Sequence, residues 1–410
     1  MFVPFSVIVN RDKLYIIEYD RYYPRGSKIP SLHLLMQGEN IQQVACGWSF
    51  AIIVKENNDV IEITCALNND DIYHYETRIL MQGEQIRQVA CGEKHAVILK
   101  ANNELFVYRG NSFGQLGLGH QNYQHELQLL MRGERIRQIA CGEQHTVILK
   151  ANNDVLVFGK NLDGELGLGD YINRSLPQIL MQQEEIKQIS CGMGYTIILK
   201  NNNNILVFGR NDSCQLGLNY YEYGNLIRNP TMLIQNNSIR EIITSAMGCH
   251  TIIRMDDNVI GFGDNDSYQL GLVKYDNKFS TELLECQYNN NNKCQQMFLM
   301  KDKKIRQIAV LYNCTMVLKT NGDVLVFGDP SNSSHAEMDV QNKPQLLPIK
   351  ATMLPNQTQN ATWYPENHQY FSDNYQICIK TFLLVHQDLR NRIGINIPKF
   401  VRFEIIKHYI

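Results

Sequence analysis

Ile136-Arg137-Gln138-Ile139-Ala140-Cys141-Gly142 leads into Thr146-Val147-Ile148-Leu149-Lys150, a polar break at Ala151-Asn152-Asn153, and a second apolar run, Asp154-Val155-Leu156-Val157-Phe158-Gly159. β-Branched and aromatic residues on both sides of Asn-Asn read as an antiparallel hairpin, because asparagine tolerates the positive φ that a tight turn needs. The Ile-x-Gln segment ahead of it reads as one more strand. That opening recurs as Ile41-Gln42-Gln43-Val44-Ala45-Cys46-Gly47, Ile86-Arg87-Gln88-Val89-Ala90-Cys91-Gly92 and Ile186-Lys187-Gln188-Ile189-Ser190-Cys191-Gly192. Degenerate copies start at Ile239 and Ile305. The cysteines at 46, 91, 141 and 191 are 45, 50 and 50 residues apart, which is the signature of a repeat architecture.

Hairpins of this kind fall at 6–19, 50–66, 95–109, 145–159, 195–209, 250–263 and 314–328, seven in all. Six follow an Ile-x-Gln strand; the first opens the chain at Ser6. A ring of sheets needs its last blade closed, and an N-terminal hairpin joining strands from beyond residue 330 would close it and remove exposed edges. The reading is therefore an all-β fold, a seven-bladed β-propeller closed by the N-terminal hairpin, over residues 1–350. Residues 351–374 are polar and irregular and read as a linker. Residues 375–410 read as a short helical C-terminal extension, with Asn396 as cap, Pro398 in the first turn and Phe400, Val401, Phe403, Ile405, Ile406 and Tyr409 on an apolar face. An insert at about Glu285–Lys304, with the run Asn289–Asn292, reads as a surface loop.

Composition narrows the function classes. In 410 residues, 44% are hydrophobic and 20% charged, an ordinary globular balance. The net charge of −2, from 39 basic and 41 acidic residues, gives no electrostatic reason to expect nucleic acid or an anionic membrane as partner. No apolar run reaches the roughly 18 residues needed to span a bilayer, and the short apolar start lacks a charged region ahead of it, so an intracellular address, cytoplasmic or nuclear, is expected. The eleven cysteines form no Cys-x-x-Cys pair, so neither a zinc site nor disulfides are expected. A dinucleotide fingerprint, a P-loop, a His-Glu-x-x-His helix and a nucleophile elbow are all lacking, which leaves no catalytic constellation and no cofactor to expect.

A second motif follows several hairpins: Gly110-Asn111-Ser112-Phe113-Gly114-Gln115-Leu116-Gly117-Leu118-Gly119, and its counterparts from Gly159, Gly209 and Gly263. Linked to Ala-Cys-Gly-x-x-His-Thr, it resembles the repeat of the regulator of chromosome condensation family, and the resemblance covers roughly residues 1–350. The family fold is a seven-bladed propeller, in agreement with the hairpin count. Small residues in Ala-Cys-Gly suit a strand crowded by neighbouring blades. The glycines of the second motif suit turns with positive φ, and its leucines can plug between blades.

The Gly-x-x-His loops read Gly47-Trp48-Ser49-Phe50, Gly92-Glu93-Lys94-His95, Gly142-Glu143-Gln144-His145, Gly192-Met193-Gly194-Tyr195 and Met247-Gly248-Cys249-His250. Equivalent positions of a propeller lie at one height on one face, so the loops are expected to form a ring. Phe50 and Tyr195 interrupt the histidines, and blade-related positions are too far apart for one ion. His95, His145 and His250 are thus expected to bond neighbouring backbone rather than a metal, and the repeated cysteines to be buried small residues. The family's best-known member exchanges guanine nucleotide on the small GTPase Ran. Similarity to it implies that Glu93, Glu143 and His250, in matching loop positions, contact a GTPase and compete for its phosphate and magnesium region without covalent chemistry. Together with Trp48 they are the partner-binding candidates. A basic tail like the one through which that member binds chromatin is not expected, because strand-like sequence starts almost at once. The related plant ultraviolet photoreceptor needs clustered tryptophans, and this chain has only Trp48 and Trp363. The leading expectation is a non-catalytic scaffold that binds a protein partner through one face. The alternatives are an exchange factor for a Ran-like or Rab-like GTPase, and an adaptor recruiting substrates to a ubiquitin ligase through 375–410, whose Ile-Pro-Lys-Phe start faintly resembles an F-box helix.

Overall fold

A computed structural model of the chain describes residues 5–10, 13–18, 32–37, 41–67, 73–218, 224–256, 258–266, 269–270, 297–301, 305–310, 314–320 and 324–328. Among them the fold is all β, with no helix. The strands form seven antiparallel sheets in chain order. The fourth shows the plan, with Ile136–Cys141, His145–Lys150, Val155–Gly159 and Arg174–Met181 paired in sequence order. The second, third, fifth and sixth repeat it from Ile41–Cys46, Ile86–Cys91, Ile186–Gly192 and Ile239–Ile243. The first sheet has three strands, Phe5–Asn10, Lys13–Glu18 and Leu32–Gln37. The seventh also has three, Ile305–Val310, Cys314–Lys319 and Val324–Gly328. All seven hairpins read from the sequence are present, and the turns of four place Asn58, Asn103, Asn153 and Asn203 at φ of 67°, 66°, 68° and 62°, the conformation that made asparagine the turn signal.

First strands of successive sheets lie side by side from Ile41–Cys46 through Ile305–Val310, so they are innermost and the fourth strands outermost. Phe5–Asn10 lies beside Ile41–Cys46 as the second strands of the second to fifth sheets lie beside the next sheet's first strand. The first sheet therefore lacks its first-strand position and the seventh its fourth, among the described residues. The expected closure by strands beyond 330, the linker 351–374 and the helical segment 375–410 fall outside the described residues.

Sheets stack face to face, so the middle strands are buried on both sides and their sequences are continuous apolar runs rather than alternating ones. In His145–Lys150 every residue but the last is buried. Leu116 joins a cluster with Val97 and Leu99 of the third sheet and Ile148 and Phe158 of the fourth. Leu116, Leu166, Leu216 and Leu270 are all fully buried, each burial contributing about 2 kcal/mol; these are the plugs anticipated in the second motif.

The structure corrects two expectations. Met297–Lys301, inside the segment read as a surface-loop insert, is the outer strand of the sixth sheet, paired to Asn258–Gly263. Its Phe298-Leu299-Met300 is the counterpart of Leu129-Leu130-Met131 and Ile179-Leu180-Met181 at the ends of other outer strands. Second, Cys214 is disulfide-bonded, against the expectation of no disulfides. It stands in the repeat where Gly114 and Gly164 have positive φ, and shares their conformation at 62°, so spacing alone gave no pairing signal. Cys91, Cys141 and Cys191 are buried free thiols, and burial pushes them up, Cys191 to about 12, which leaves them protonated and inert.

Candidate functional site

The glutamines of four Ile-x-Gln strands reach across to the next sheet. Gln88 donates from Nε2 to the carbonyl of Ile139 (2.8 Å) and accepts from its N–H (3.0 Å). Gln138 does the same with Ile189 (2.9 and 3.0 Å), and Gln188 with Ile242 (2.6 and 2.9 Å). Gln43 accepts from Val89 N–H (3.2 Å) and donates to the Arg87 carbonyl (3.1 Å). Each amide acts as one extra ladder rung, with both of its polar ends satisfied where inner strands splay apart. These residues were missed as functional parts of the repeat; the signal was the recurrence of glutamine itself, where any polar residue would serve on a solvated strand.

The histidines form a second set of latches. His95 Nε2 lies 3.0 Å from Thr146 Oγ1, His145 Nε2 2.9 Å from Thr196 Oγ1, and His250 Nε2 3.0 Å from Thr315 Oγ1. The Thr146 hydroxyl already donates to the Gln115 carbonyl and the Thr196 hydroxyl to that of Glu165, both at 2.8 Å. A hydroxyl has one proton, so at these two threonines the histidine must donate from Nε2–H and carry a bare Nδ1. Desolvation holds all three rings neutral, down to about 3. The partner is a hydroxyl of the next sheet, not the backbone group expected. A Cβ on Gly142 would meet His145 Cε1 at 2.0 Å, so this glycine is the bed on which the ring lies. The exceptions are matched in pairs. Tyr195 donates past Thr251 to the carbonyl of His250 (2.9 Å), and Phe50 faces a sheet in which Ala96 takes the threonine's place.

Beyond these latches the loops join into a strip. Trp48 N–H donates to the Glu93 carbonyl (2.8 Å), Glu93 N–H to that of Glu143 (2.9 Å), Glu143 N–H to Gly192 (3.4 Å) and Met193 N–H to Gly248 (3.2 Å). Five equivalent loops thus share one face, bonded edge to edge by backbone. The strip brings together Trp48, Glu93 and Glu143, all half-buried. It does not bring His250 with them: that side chain is fully buried beneath the loop and engaged with Thr315.

The strip is acidic. Glu93 accepts from Gln144 Nε2 (2.8 Å) and pairs with Lys94 (3.1 Å). Lys160 lies 2.6 Å from Asp163, 3.6 Å from Glu165 and 3.9 Å from Glu143. Burial, reinforced by Glu93 and Asp163 against the pull of Lys160, raises the Glu143 carboxyl above its usual range. Burial raises Glu165, fully buried, to about 7. No group of three or more His, Cys, Asp or Glu placed to hold a metal occurs among the described residues. What the strip offers is two carboxylates, Glu93 and Glu143, set in neighbouring backbone-bonded loops, each close to a lysine.

Residues 105–149 and 152–199 match the regulator of chromosome condensation (RCC1) repeat, and a second model of that repeat matches 136–165. No curated protein sequence matches the chain. Among solved structures it resembles human WBSCR16, at 19% identity over 76% of this chain and 84% of that one, with a TM-score of 0.57. It resembles Prp20p from Saccharomyces cerevisiae, a structure described with its binding properties to Gsp1p and histones, at 19% identity over 71% of this chain and 72% of that one, with a TM-score of 0.58. Yeast RCC1 (Prp20) bound to Kap60 gives 17% identity, 71% and 70% coverage and a TM-score of 0.56. No helix among the described residues is long and apolar enough to cross a membrane. Residues 105–199 are thus repeats of the RCC1 type, carried on a chain with an RCC1-like β-propeller fold.

Proposed function

We propose that the protein is a non-catalytic β-propeller scaffold, working inside the cell, that binds a protein partner through the face carrying the Gly-x-x-His loops. The observation that carries this reading is the backbone-bonded strip from Trp48 to Gly248, which holds Glu93 and Glu143 side by side with 17% and 25% of their side chains exposed. A preorganised acidic row loses little entropy when a basic surface docks on it. Trp48 supplies an aromatic contact at its end, the residue type that anchors interfaces. His250 acts behind this surface, keeping the Cys249 loop in place.

A second reading, nucleotide exchange on a small GTPase, is favoured by the same two glutamates, which occupy the loop positions that the family resemblance assigns to GTPase contact. They would compete for the phosphate and magnesium region of the nucleotide, with no bond made or broken. The adaptor reading rests on residues 375–410 and has no support among the described residues. The test purifies the wild-type chain and Glu93→Lys/Glu143→Lys from the native cell, beside an Arg87→Glu control on the opposite end. A partner lost with the glutamate pair and kept with the control supports the reading; equal recovery by all three refutes it. GDP release from a panel of small GTPases at micromolar protein separates the two versions, since a scaffold accelerates none.

A further inference from the structure

The end of the fold opposite the acidic strip carries a feature that the family motif does not explain. The second residue of the inner strand is a cation in five successive sheets: Arg87, Arg137, Lys187, Arg240 and Arg306. All five are exposed. Their strands lie side by side, so the side chains recur at one level around the inner rim, about 16 Å along the strand from the glutamate loops.

Arg87, Arg137 and Lys187 are held in place without being neutralised. Arg87 donates to Asn103 Oδ1 (3.1 Å) and Arg137 to Asn153 Oδ1 (3.0 Å), the asparagines of the left-handed turns. Arg137 also donates to the Ile186 carbonyl, and Lys187 to that of Ile239 (3.0 Å). Every one of these acceptors is uncharged. Among the described residues Arg87, Arg135, Arg137 and Lys187 form no ion pair, whereas Arg240 pairs with Asp256. The carboxylates nearby in sequence are already matched by lysines: Glu84 and Glu104 by Lys100 (2.9 Å each), and Glu134 by Lys150 (2.6 Å). Between the third and fourth sheets a groove of about 360 Å³ is lined by Arg87, Asn103, Arg135, Ile136, Arg137 and Ala151. It has three guanidinium groups, one amide, and no carboxylate.

We propose that this groove binds a small, multiply phosphorylated molecule. Guanidinium forks match phosphate oxygens, and two of the three are preset by the turn asparagines. The groove is shallow and open to solvent, so charge rather than enclosure would hold the ligand. Its lining holds no aromatic ring to stack a base, which argues against a nucleotide. The cations continuing along the rim suit a ligand with several phosphates over one with a single phosphate. This inference concerns the other end of the molecule and does not depend on the partner-binding face.

The experiment titrates the full chain with myo-inositol hexakisphosphate as probe, at about 0.15 M salt, where exposed long-range charge is screened. Calorimetry is the readout, with inorganic phosphate as a second arm. Saturable binding is expected, weakened about tenfold or more by each of Arg87→Gln and Arg135→Ala, and unchanged by Lys94→Ala at the acidic end. Inorganic phosphate is expected to bind at least tenfold more weakly. Arg137→Ala removes a bond between sheets as well as a charge, so Arg135→Ala, with an exposed side chain, is the decisive variant, and circular dichroism verifies its fold. No binding up to millimolar probe overturns the proposal. So does weakening by Lys94→Ala equal to that by Arg135→Ala, which would mean diffuse charge. Competition by a single-stranded oligonucleotide at equal phosphate concentration also overturns it, in favour of a nucleic-acid surface.

Discussion

Thr196→Ala isolates the His–Thr latch. The substitution leaves His145 Nε2–H without the acceptor now at 2.9 Å and the Glu165 carbonyl without the donor at 2.8 Å. Both groups lie where neither His145 nor Glu165 is exposed. A buried polar group left unpaired costs about 1–3 kcal/mol, so the single change, which orphans two, is expected to cost about 2–6 kcal/mol. His145→Phe sets a wider ring against the Thr196 hydroxyl, an overpacking worth about 1–3 kcal/mol. The double variant recreates the Phe50–Ala96 pairing that the protein already uses between its second and third sheets. There only the Glu165 carbonyl stays unpaired, so its cost is expected to be about 1–2 kcal/mol, well below the sum of the singles. The cycle is read by thermal scanning, where a chain of this size unfolding as one unit shifts roughly 1–2 °C per kcal/mol. Strictly additive effects would refute the latch, and would mean that the ring and the hydroxyl are neighbours without being partners.

Acidification should destabilise through the histidines. Unfolded histidines titrate near 6.5 while these stay neutral to about 3, so their contribution is complete above about pH 6.5 and lost as pH falls towards 3, by about 6 kcal/mol for the three at pH 5. The double variant should lose a third of that slope in pH-dependent melting. Glu165 acts with the opposite sign: its folded value of about 7 exceeds the unfolded one, so ionising it costs stability above pH 7 and nothing below about 4.5. Glu165→Gln, the residue found at Gln115 and Gln215, should therefore stabilise the fold at pH 8 by about 1–3 kcal/mol, seen as a higher melting temperature, and leave it unchanged near pH 4.5. Gln138→Leu orphans both backbone groups of Ile189 and should cost about 2–4 kcal/mol in denaturant unfolding, more than Gln42→Leu on the exposed side of its strand. If strands beyond 330 close the ring, a chain ending at Gly328 should expose two sheet edges and self-associate in light scattering, whereas one ending at residue 374 should stay monodisperse.

The hairpins were legible because each is local. Two apolar runs and an asparagine turn announce themselves within 15 residues, and the structure has them where the sequence put them. The outer strands were harder to see. Gln124–Met131 and Arg174–Met181 mix half-buried and exposed residues irregularly and carry bulges against their partners, so neither a period of two nor a clean turn marks them. Met297–Lys301 was hidden for that reason inside a polar insert. At the site, Trp48, Glu93 and Glu143 share a face because the repeat assigns them one loop position. His250 fills the same motif with a different consequence: the motif fixes where the backbone goes, while burial decides which side chains of the loop a partner can meet. The threonine partners were out of reach of sequence reading, since His145 and Thr196 are 51 residues apart and nothing but the stacking of sheets joins them.

A repeat of this kind turns one residue choice into a ring. A carboxylate two positions after the cysteine and a cation four residues ahead of the cysteine, on the same strand, leave the buried middle of the strand unchanged. Repeated around a common axis, the choice sums: Glu93 and Glu143 meet along the loop strip, and Arg87, Arg137 and Lys187 along the opposite rim. With 39 basic and 41 acidic residues, the net charge of −2 does not say where these particular groups stand. The argument from net charge against an anionic ligand therefore holds for the molecule as a whole and fails for its inner rim, because what a ligand meets is the local field of a few Debye lengths at most, not the total.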